Sequence, residues 1–318
     1  MTSRPNSLSP VSHKSTVAVV TTVLIGLALS PWAPSPEAWA GDSLEPEAVE
    51  QVDSSETKVA TDTTEPPKAS PYVDAASLQN AMAKGAFAEL TEDELKIHLE
   101  HIDPIVLIDA ALTTLSKRPE YSTVLEKQER VRGELQEQPD VIAVKYRREP
   151  LAMFLNYTGG VSIERQVLYD DVIRPGEITV AESGLLGFMS LNIDVDSPLT
   201  KRSTNHTVME LGLEFPLVIM RAEVVALAKA GRAVNLADGR LVVENGRRFW
   251  EIEVETPGPP NYYAAHSRLR FEVDTALVAM MEIRDKKGLM VERFEYKDTV
   301  WGKHPEGTFD VDNPAYRF

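Results

Sequence analysis

Two stretches of alternating residues, Trp250-Glu251-Ile252-Glu253-Val254-Glu255 and Leu269-Arg270-Phe271-Glu272-Val273-Asp274, decide the fold class of this chain. Successive side chains of a β-strand point to opposite faces of the sheet, so each stretch predicts a strand with one buried face and one wet face. The dipeptides Asp238-Gly239 and Asn245-Gly246 are typical of hairpin turns. This part of the chain is therefore predicted to be antiparallel β-structure.

The upstream half is also predicted to be rich in strands. The segment Val141–Tyr157, interrupted at Pro150, is apolar on both faces, since the odd residues from Leu151 onwards and the even residues Ala152 and Phe154 are all apolar. Such a strand is expected to be covered on both sides. Further strands are predicted at residues 121–131, 166–169, 177–181, 189–195, 277–284 and 289–296.

Helices are predicted before and between these strands. Thr91-Glu92-Asp93-Glu94 has the pattern of a capping box, and Asp103-Pro104 that of an N-cap followed by proline at the first helical position. A short helix that ends near Gly85 precedes both. A further helical stretch is predicted over Asn205–Ala230, with Ser203 or Thr204 as its cap, a break at Pro216 and a stop at Gly231. The sum predicts an α+β protein with a large antiparallel sheet, strongly curved or barrel-like, and a few helices on one side.

Residues 1–40 predict an export signal. Arg4 and Lys14 form a positive region, Val17–Leu29 is apolar, and Ala38-Trp39-Ala40 is a small-x-small cleavage pattern. The apolar run is shorter than the roughly 20 residues that span a bilayer. We therefore expect cleavage after Ala40, no stable membrane insertion afterwards, and a periplasmic or secreted protein.

The amino-acid composition limits the structures and partners that are possible for the rest of the chain. Residues 41–71 contain eight acidic residues, two lysines, four prolines and no aromatic residue, which predicts a disordered acidic linker. Residues 72–318 are then predicted to form a single domain. The formal net charge of −16 argues against nucleic acid as a partner. With no cysteine in the chain, disulfides, thiolate metal sites and cysteine nucleophiles are excluded.

A series of short motifs resembles the bacterial family called domain of unknown function 1571. The series runs from Arg147-Arg148-Glu149-Pro150-Leu151 and Gln166–Tyr169 to Phe309-Asp310 and the last residues of the chain. Where the resemblance has a glycine beside Arg165, this chain has Glu164. The motif residues singled out are Arg148, Pro150, Tyr169, Pro198, Arg202, His206, Gly212, Phe309, Asn313 and Pro314, together with the segment Gly184–Gly187.

The resemblance has implications for fold and function. Members of this family are similar to periplasmic lipoprotein carriers of the Lol type. That likeness implies an incomplete antiparallel barrel whose apolar concave face is closed by helices. It also implies a hollow that shields acyl chains from water, and hence a lipid or a lipoprotein as the partner.

The apolar strands supply a lining for such a hollow. Each acyl methylene removed from water contributes about 0.8 kcal/mol, so a carrier needs a continuous apolar surface. Methionine suits a pocket that accepts variable chains. The same residues would equally fill an ordinary sheet core, and both interpretations stay open. The candidate lining residues are Leu151, Met153, Leu155, Trp250, Ile252, Val254, Phe271 and Met281.

Catalytic interpretations find little support. His98 and His101 lie three residues apart on a predicted helix, a spacing that could share a metal ion, but surface histidines at this spacing are usually incidental. No nucleophile elbow, phosphate loop or dinucleotide motif occurs in the sequence. We therefore predict a non-enzymatic binding or carrier protein without cofactor or metal. The alternatives are an envelope interaction protein with a filled core and a metal-dependent hydrolase.

Overall fold

The computed structural model describes residue 72, residues 74–182 and residues 190–318. The predicted signal at residues 1–40, the predicted linker at residues 41–71 and the motif Gly184–Gly187 lie outside the described residues. No helix among the described residues has the length and apolar character needed to cross a membrane.

Four α-helices occur in the described part of the chain: α1 (Ala75–Ala83), α2 (Glu92–Leu99), α3 (Pro104–Ser116) and α4 (Glu214–Lys229). The predicted capping box is confirmed, because the backbone N–H of Thr91 donates to Glu94 Oε2 at 2.8 Å and the N–H of Glu94 donates to Thr91 Oγ1 at 3.4 Å. The Asp103 cap is confirmed as well, since its Oδ1 accepts from the N–H of Ile105 at 2.7 Å. Local capping chemistry therefore fixes where the first helices begin.

The helical stretch predicted over Asn205–Ala230 is wrong in its first part. Two 3₁₀ segments, Thr200–Arg202 and Val208–Leu211, precede α4. Pro216 does not break a helix but lies in the first turn of α4, where no intrahelical partner awaits its missing N–H. Neither Ser203 nor Thr204 caps α4, because the Thr204 hydroxyl binds a distant strand instead.

Twelve strands form one antiparallel sheet, and their order along it places β7 and β8 at its two edges. The sheet is thus not closed among the described residues. β1 lies at its centre between β3 and β12. In chain order the strands are β1 (Glu120–Val131), β2 (Glu134–Leu135), β3 (Asp140–Arg147), β4 (Ala152–Gly159), β5 (Gln166–Asp170), β6 (Glu177–Ala181), β7 (Ser190–Asp194), β8 (Arg240–Glu244), β9 (Arg247–Glu255), β10 (His266–Glu272), β11 (Val278–Arg284) and β12 (Met290–Trp301).

One predicted hairpin turn is confirmed, and two other predictions about the strands are wrong. Asn245 and Gly246 have φ values of 52° and 76° and join β8 to β9, as an Asn-Gly turn predicts. The segment 141–157 is not one interrupted strand but the hairpin β3–β4, with Pro150 in its turn. Asp238-Gly239 is not a hairpin turn, because residues 236–238 form a 3₁₀ turn that leads into β8. Gly239 is required there for space, since a Cβ would lie 2.4 Å from Trp250 Nε1.

Glu164 adopts a backbone conformation that suits glycine. Its φ is +70°, in the left-handed region that L-residues occupy at a cost. The family resemblance has a glycine at this place, so the departure in sequence falls where the backbone would favour glycine.

Both faces of β4 are covered, as the sequence predicted. Met153 and Leu155 belong to the main core, which the helices share. Ala152 and Phe154 point to the other face, which we call the outer face, and form a second cluster with Leu168 and Phe309. The C-terminal segment, residues 308–318, packs on this outer face, and its Tyr316 ring stacks on Phe154 with centroids 3.9 Å apart.

Replacing Phe309 by Ala should lower the free energy of unfolding by about 3 kcal/mol, because the change removes a buried ring and leaves a cavity. Phe309 is only 6% exposed. Urea denaturation followed by tryptophan fluorescence measures the change. As a control, Leu289→Ala alters a side chain that is 49% exposed, and it should stay within about 0.5 kcal/mol of the wild type. Equal effects of the two substitutions would show that the C-terminal segment does not stabilise the sheet.

Candidate functional site

A cavity of about 360 Å³ lies between strands β4–β7 and the segment 195–211. We call it the groove. Its sheet wall includes one continuous row across four strands, because register pairs Leu155 with Val167, Val167 with Val180, and Val180 with Leu191. All four side chains line the groove. The register of the sheet therefore builds an apolar wall from single residues of four strands.

The facing wall comes from the irregular chain before α4. Its apolar lining residues include Val195, Leu199, Val208 and Leu211. Leu199 is 56% exposed, whereas Val195 and Leu211 are buried. This wall thus carries apolar residues from its buried part out to the surface, interspersed with the polar residues Thr200, Ser203, Thr204, His206 and Thr207.

Two carboxylates face each other at the base of this region. Glu129 on β1 is paired in register with Glu292 on β12, and both side chains are fully buried. The His206 ring lies against both, with Nε2 at 2.6 Å from Glu292 Oε2 and 3.8 Å from Glu129 Oε1. The hydroxyl of Tyr263 donates to Glu292 Oε1 at 2.5 Å. A histidine, two glutamates and a tyrosine therefore share one buried polar cluster.

Lys127 completes this cluster from the same strand as Glu129. Its Nζ lies 2.5 Å from Glu129 Oε2 and 2.8 Å from Thr204 Oγ1. Thr204 Oγ1 in turn donates to Glu129 Oε2 at 2.8 Å, and the N–H of Asn205 donates to Glu129 Oε1 at 3.1 Å. We call these residues, with Glu210, the buried ionic network. It attaches the turn 204–206 to the middle of the sheet.

The network keeps His206 protonated at neutral pH. Burial alone would lower the pKa of the imidazole, but the carboxylates of Glu292, Glu210 and Glu129 outweigh it and raise the pKa to about 10. Burial likewise works against the Glu129 carboxylate, yet Lys127 and His206 hold its pKa below the ordinary value. Buried charges of opposite sign thus compensate one another.

The same residues resemble a metal-ligand set. One potential ligand atom each from Glu129, His206 and Glu292 lies within 4.8 Å of the others. An imidazolium has no free lone pair for a metal ion, however, and the Lys127 ammonium already occupies the cation position beside Glu129. The residues do not fit a resident metal in this protonation state. The predicted pair His98 and His101 lies elsewhere, and the His98 ring packs edge-on against Phe87.

The predicted lining residues do not all reach one cavity. Leu155 lines the groove. Ile252, Val254 and Phe271 line a separate crevice under α3 and α4, whose free volume is only about 20 Å³. The rest pack into the main core as buried or partly buried side chains, namely Leu151, Met153, Trp250 and Met281. Alternation identified the buried face, but it missed most groove residues because β5, β6 and β7 are short.

The family-motif residues are spread over several places in the structure. His206 belongs to the buried ionic network, and Pro198 and Arg202 lie on the segment that forms the groove wall. Arg148 forms an ion pair with Glu214, and the space beside Gly212 is limited by Glu214 Oε2 and the Tyr121 hydroxyl, both 3.1 Å from where a Cβ would lie. The others support turns or the outer face: Pro150 in the β3–β4 turn, Tyr169 bonded to Asp171, Phe309 in the outer cluster, and Asn313, followed by Pro314, bonded to the Gly307 carbonyl.

The sequence contains one signal for the buried ionic network, in strand β1. In β1, Leu125, Lys127 and Glu129 follow one another at every second position, so two charged residues occupy a buried face. The partners of Glu129 and His206 come from distant parts of the chain, 75 residues away for Thr204 and 86 for Glu292. No local motif could reveal that pairing.

Comparisons with known proteins agree with the motif series. The model of the family described as "Protein of unknown function (DUF1571)" matches residues 118–318. No curated protein matches the chain.

Several solved structures are similar to this chain at low identity. An uncharacterized conserved protein from Thermus thermophilus is 11% identical, with a TM-score of 0.36, over 63% of this chain and 90% of that chain. The lipoprotein LppX from Mycobacterium tuberculosis is 12% identical, with a TM-score of 0.34, over 63% and 96%. A LolA superfamily protein from Nitrosomonas europaea is 10% identical, with a TM-score of 0.26, over 64% and 98%. At these values the likenesses do not establish a function for this chain.

The raised pKa of His206 predicts a loss of stability at alkaline pH. The folded pKa of about 10 lies above the ordinary value of 6.5, so the folded state binds the extra proton between these values. The stabilisation is complete below the lower value and is lost as pH rises through the upper one. The free energy of unfolding of the wild type should therefore fall more steeply over this range than that of His206→Gln, by up to about 1.4 kcal/mol per pH unit.

Urea denaturation at a series of pH values measures this slope. His101→Gln changes a histidine outside the network and should keep the wild-type slope. Parallel curves for the wild type and His206→Gln would contradict the protonated state of His206.

Proposed function

This chain belongs to the DUF1571 family, and from that premise we propose that it is a non-enzymatic binding or carrier protein that holds a lipid or a lipidated partner in the groove. We further propose that the sheet is strongly curved and forms an incomplete barrel. Helices close the apolar concave face of this barrel. The proposal also includes export by the N-terminal signal, cleavage after Ala40 and action in the periplasm or outside the cell.

The apolar groove is the observation that carries this proposal. Its volume of about 360 Å³ falls within the range of small-molecule sites, about 300–1,000 Å³. Leu155, Val167, Val180 and Leu191 give it an unbroken apolar wall. Each methylene of an acyl chain that leaves water for this wall contributes about 0.8 kcal/mol.

The polar groups near the groove support binding rather than catalysis. His206 is held as an imidazolium between carboxylates, so it cannot accept a proton as a general base at neutral pH. Lys127 is held by Glu129 and Thr204. These groups are committed to one another and are poorly placed to transform a ligand.

A second candidate is the envelope interaction protein with a filled core. The crevice between the helices α3 and α4 and the strands β9 and β10 supports it, because its free volume is only about 20 Å³. In this alternative the groove is a surface depression without a lipid, and the protein acts through its outer surfaces.

Lipid binding by paired variants separates the two candidates. Leu191→Asp places a charge in the groove wall at a side chain that is 46% exposed, and Leu289→Asp does the same at a 49% exposed side chain outside the groove. Leu191→Asp should weaken binding of a fluorescent fatty acid by about ten-fold, since the charge must be desolvated beside the acyl chain. Leu289→Asp should bind like the wild type.

A blocking variant and direct lipid analysis complete the test. Val180→Trp fills the groove, and Val243→Trp is its control on the exposed edge strand β8. Thermal unfolding verifies that each variant is folded. Organic extracts of the purified protein, analysed by mass spectrometry, should contain lipid for the wild type and much less for Val180→Trp. If the wild type carries no lipid and binds no fatty acid, the interaction protein is favoured.

A further inference from the structure

The cations nearest the interior of the groove are already occupied. His206 contributes to its lining, but its Nε2 is 2.6 Å from Glu292 Oε2 and its Nδ1 is 3.6 Å from Glu210 Oε2. Lys127 Nζ is held at 2.5 Å by Glu129. An anionic group of a ligand would find both of these cations already paired with carboxylates, whereas the apolar wall beside them is open to an acyl chain.

Most polar groups at the groove wall are occupied as well. Arg165 and Glu182 both line the groove and pair with each other at 3.0 Å. The hydroxyl of Thr200 donates to the Ser197 carbonyl at 2.6 Å. The Ser203 hydroxyl donates to the Thr200 carbonyl at 3.4 Å. These contacts leave no strong cationic donor among the lining residues.

Arg202 differs from these groove residues because its side chain has no partner among the described residues. It is exposed and lies at the end of the 3₁₀ segment Thr200–Arg202, and it makes no ion pair or side-chain hydrogen bond with another residue of the described ranges. The backbone N–H of Arg202 donates to the Leu199 carbonyl at 3.3 Å, so the two residues are neighbours in one turn. Leu199 lines the groove and is 56% exposed. A guanidinium without a partner among the described residues therefore belongs to the same turn as an exposed apolar residue of the groove.

We propose that the ligand of the groove is an anionic amphiphile, whose acyl chain enters the groove while its carboxylate or phosphate head group pairs with Arg202 at the rim. This inference rests on the lipid-binding function proposed above. Guanidinium binds both head groups through paired N–H donors. Within residues 194–202, the exposed carboxylates of Asp194 and Asp196 balance the charges of Lys201 and Arg202. Selectivity then comes from the guanidinium contact and not from a net positive field.

Isothermal titration of the full chain with ligands of one chain length tests the inference. The probes are dodecanoate, dodecyl phosphate and dodecanol, with inorganic phosphate as a probe without an acyl chain. We expect at least one anionic amphiphile to bind about two- to five-fold more tightly than dodecanol, because an exposed ion pair contributes up to about 1 kcal/mol. Arg202→Glu should abolish this preference, measured against the binding of dodecanol to the same variant. Arg132→Glu, a matched change in the exposed β1–β2 turn, should keep the preference.

Each result has a separate meaning. A preference for dodecanoate or for dodecyl phosphate that depends on Arg202 supports the inference and identifies the head group. Equal binding of dodecanol and both anions overturns the inference while the lipid-binding function stands. Binding of inorganic phosphate as tightly as dodecyl phosphate also overturns it, because the acyl chain would then contribute nothing. If no amphiphile binds, the proposed function itself fails.

Discussion

Two buried carboxylates face each other at the centre of the sheet. The rest of the structure depends on the cations that compensate their negative charge. The pairing of β1 with β12 places Glu129 opposite Glu292, and like charges directly opposite on paired strands repel. His206 and Lys127 neutralise this repulsion, at 2.6 Å from Glu292 and 2.5 Å from Glu129. Removing one member would leave an uncompensated buried charge, which is far more costly than the loss of an exposed ion pair.

This compensation also determines where the groove wall lies. The turn 204–206 supplies Thr204, Asn205 and His206, each of which contacts Glu129 or Glu292. Hydrogen bonds and ion pairs are directional, whereas apolar packing alone allows a segment to slide over a sheet. The network therefore fixes the segment 195–211 at a set position above β4–β7, and a space of about 360 Å³ remains between them.

The sequence was most informative where structure is decided by neighbours in the chain. The Thr91 and Asp103 caps and the Asn245-Gly246 turn were all predicted correctly, because a few adjacent residues determine them. The same local rules failed at Pro216, which fits the first turn of α4, and at Asp238-Gly239, where contact with Trp250 explains the glycine. The large antiparallel sheet and the family followed from alternation and from the motif series.

The candidate site could be predicted only in part, because alternation identifies a face and not the space above it. The sequence predicts a buried strand position for both Leu155 and Ile252, yet Leu155 lines an open groove and Ile252 lines a crevice that is nearly full. Which one meets a cavity depends on helices and loops from elsewhere in the chain. In the sequence, His206 was singled out only as a family-motif residue. Its ionic partners Glu129 and Glu292 became visible only when the strands were paired.

The buried ionic network joins residues that are far apart in the sequence, and this separation affects folding. Its contacts join residues 75 and 86 positions apart, and contacts of this kind form late because large loops must close first. The C-terminal half of the sheet, on its own, would bury the Glu292 carboxylate without its counter-ion His206. Partly assembled sheets are therefore penalised, and the two halves, with the turn between them, are coupled into one cooperative transition.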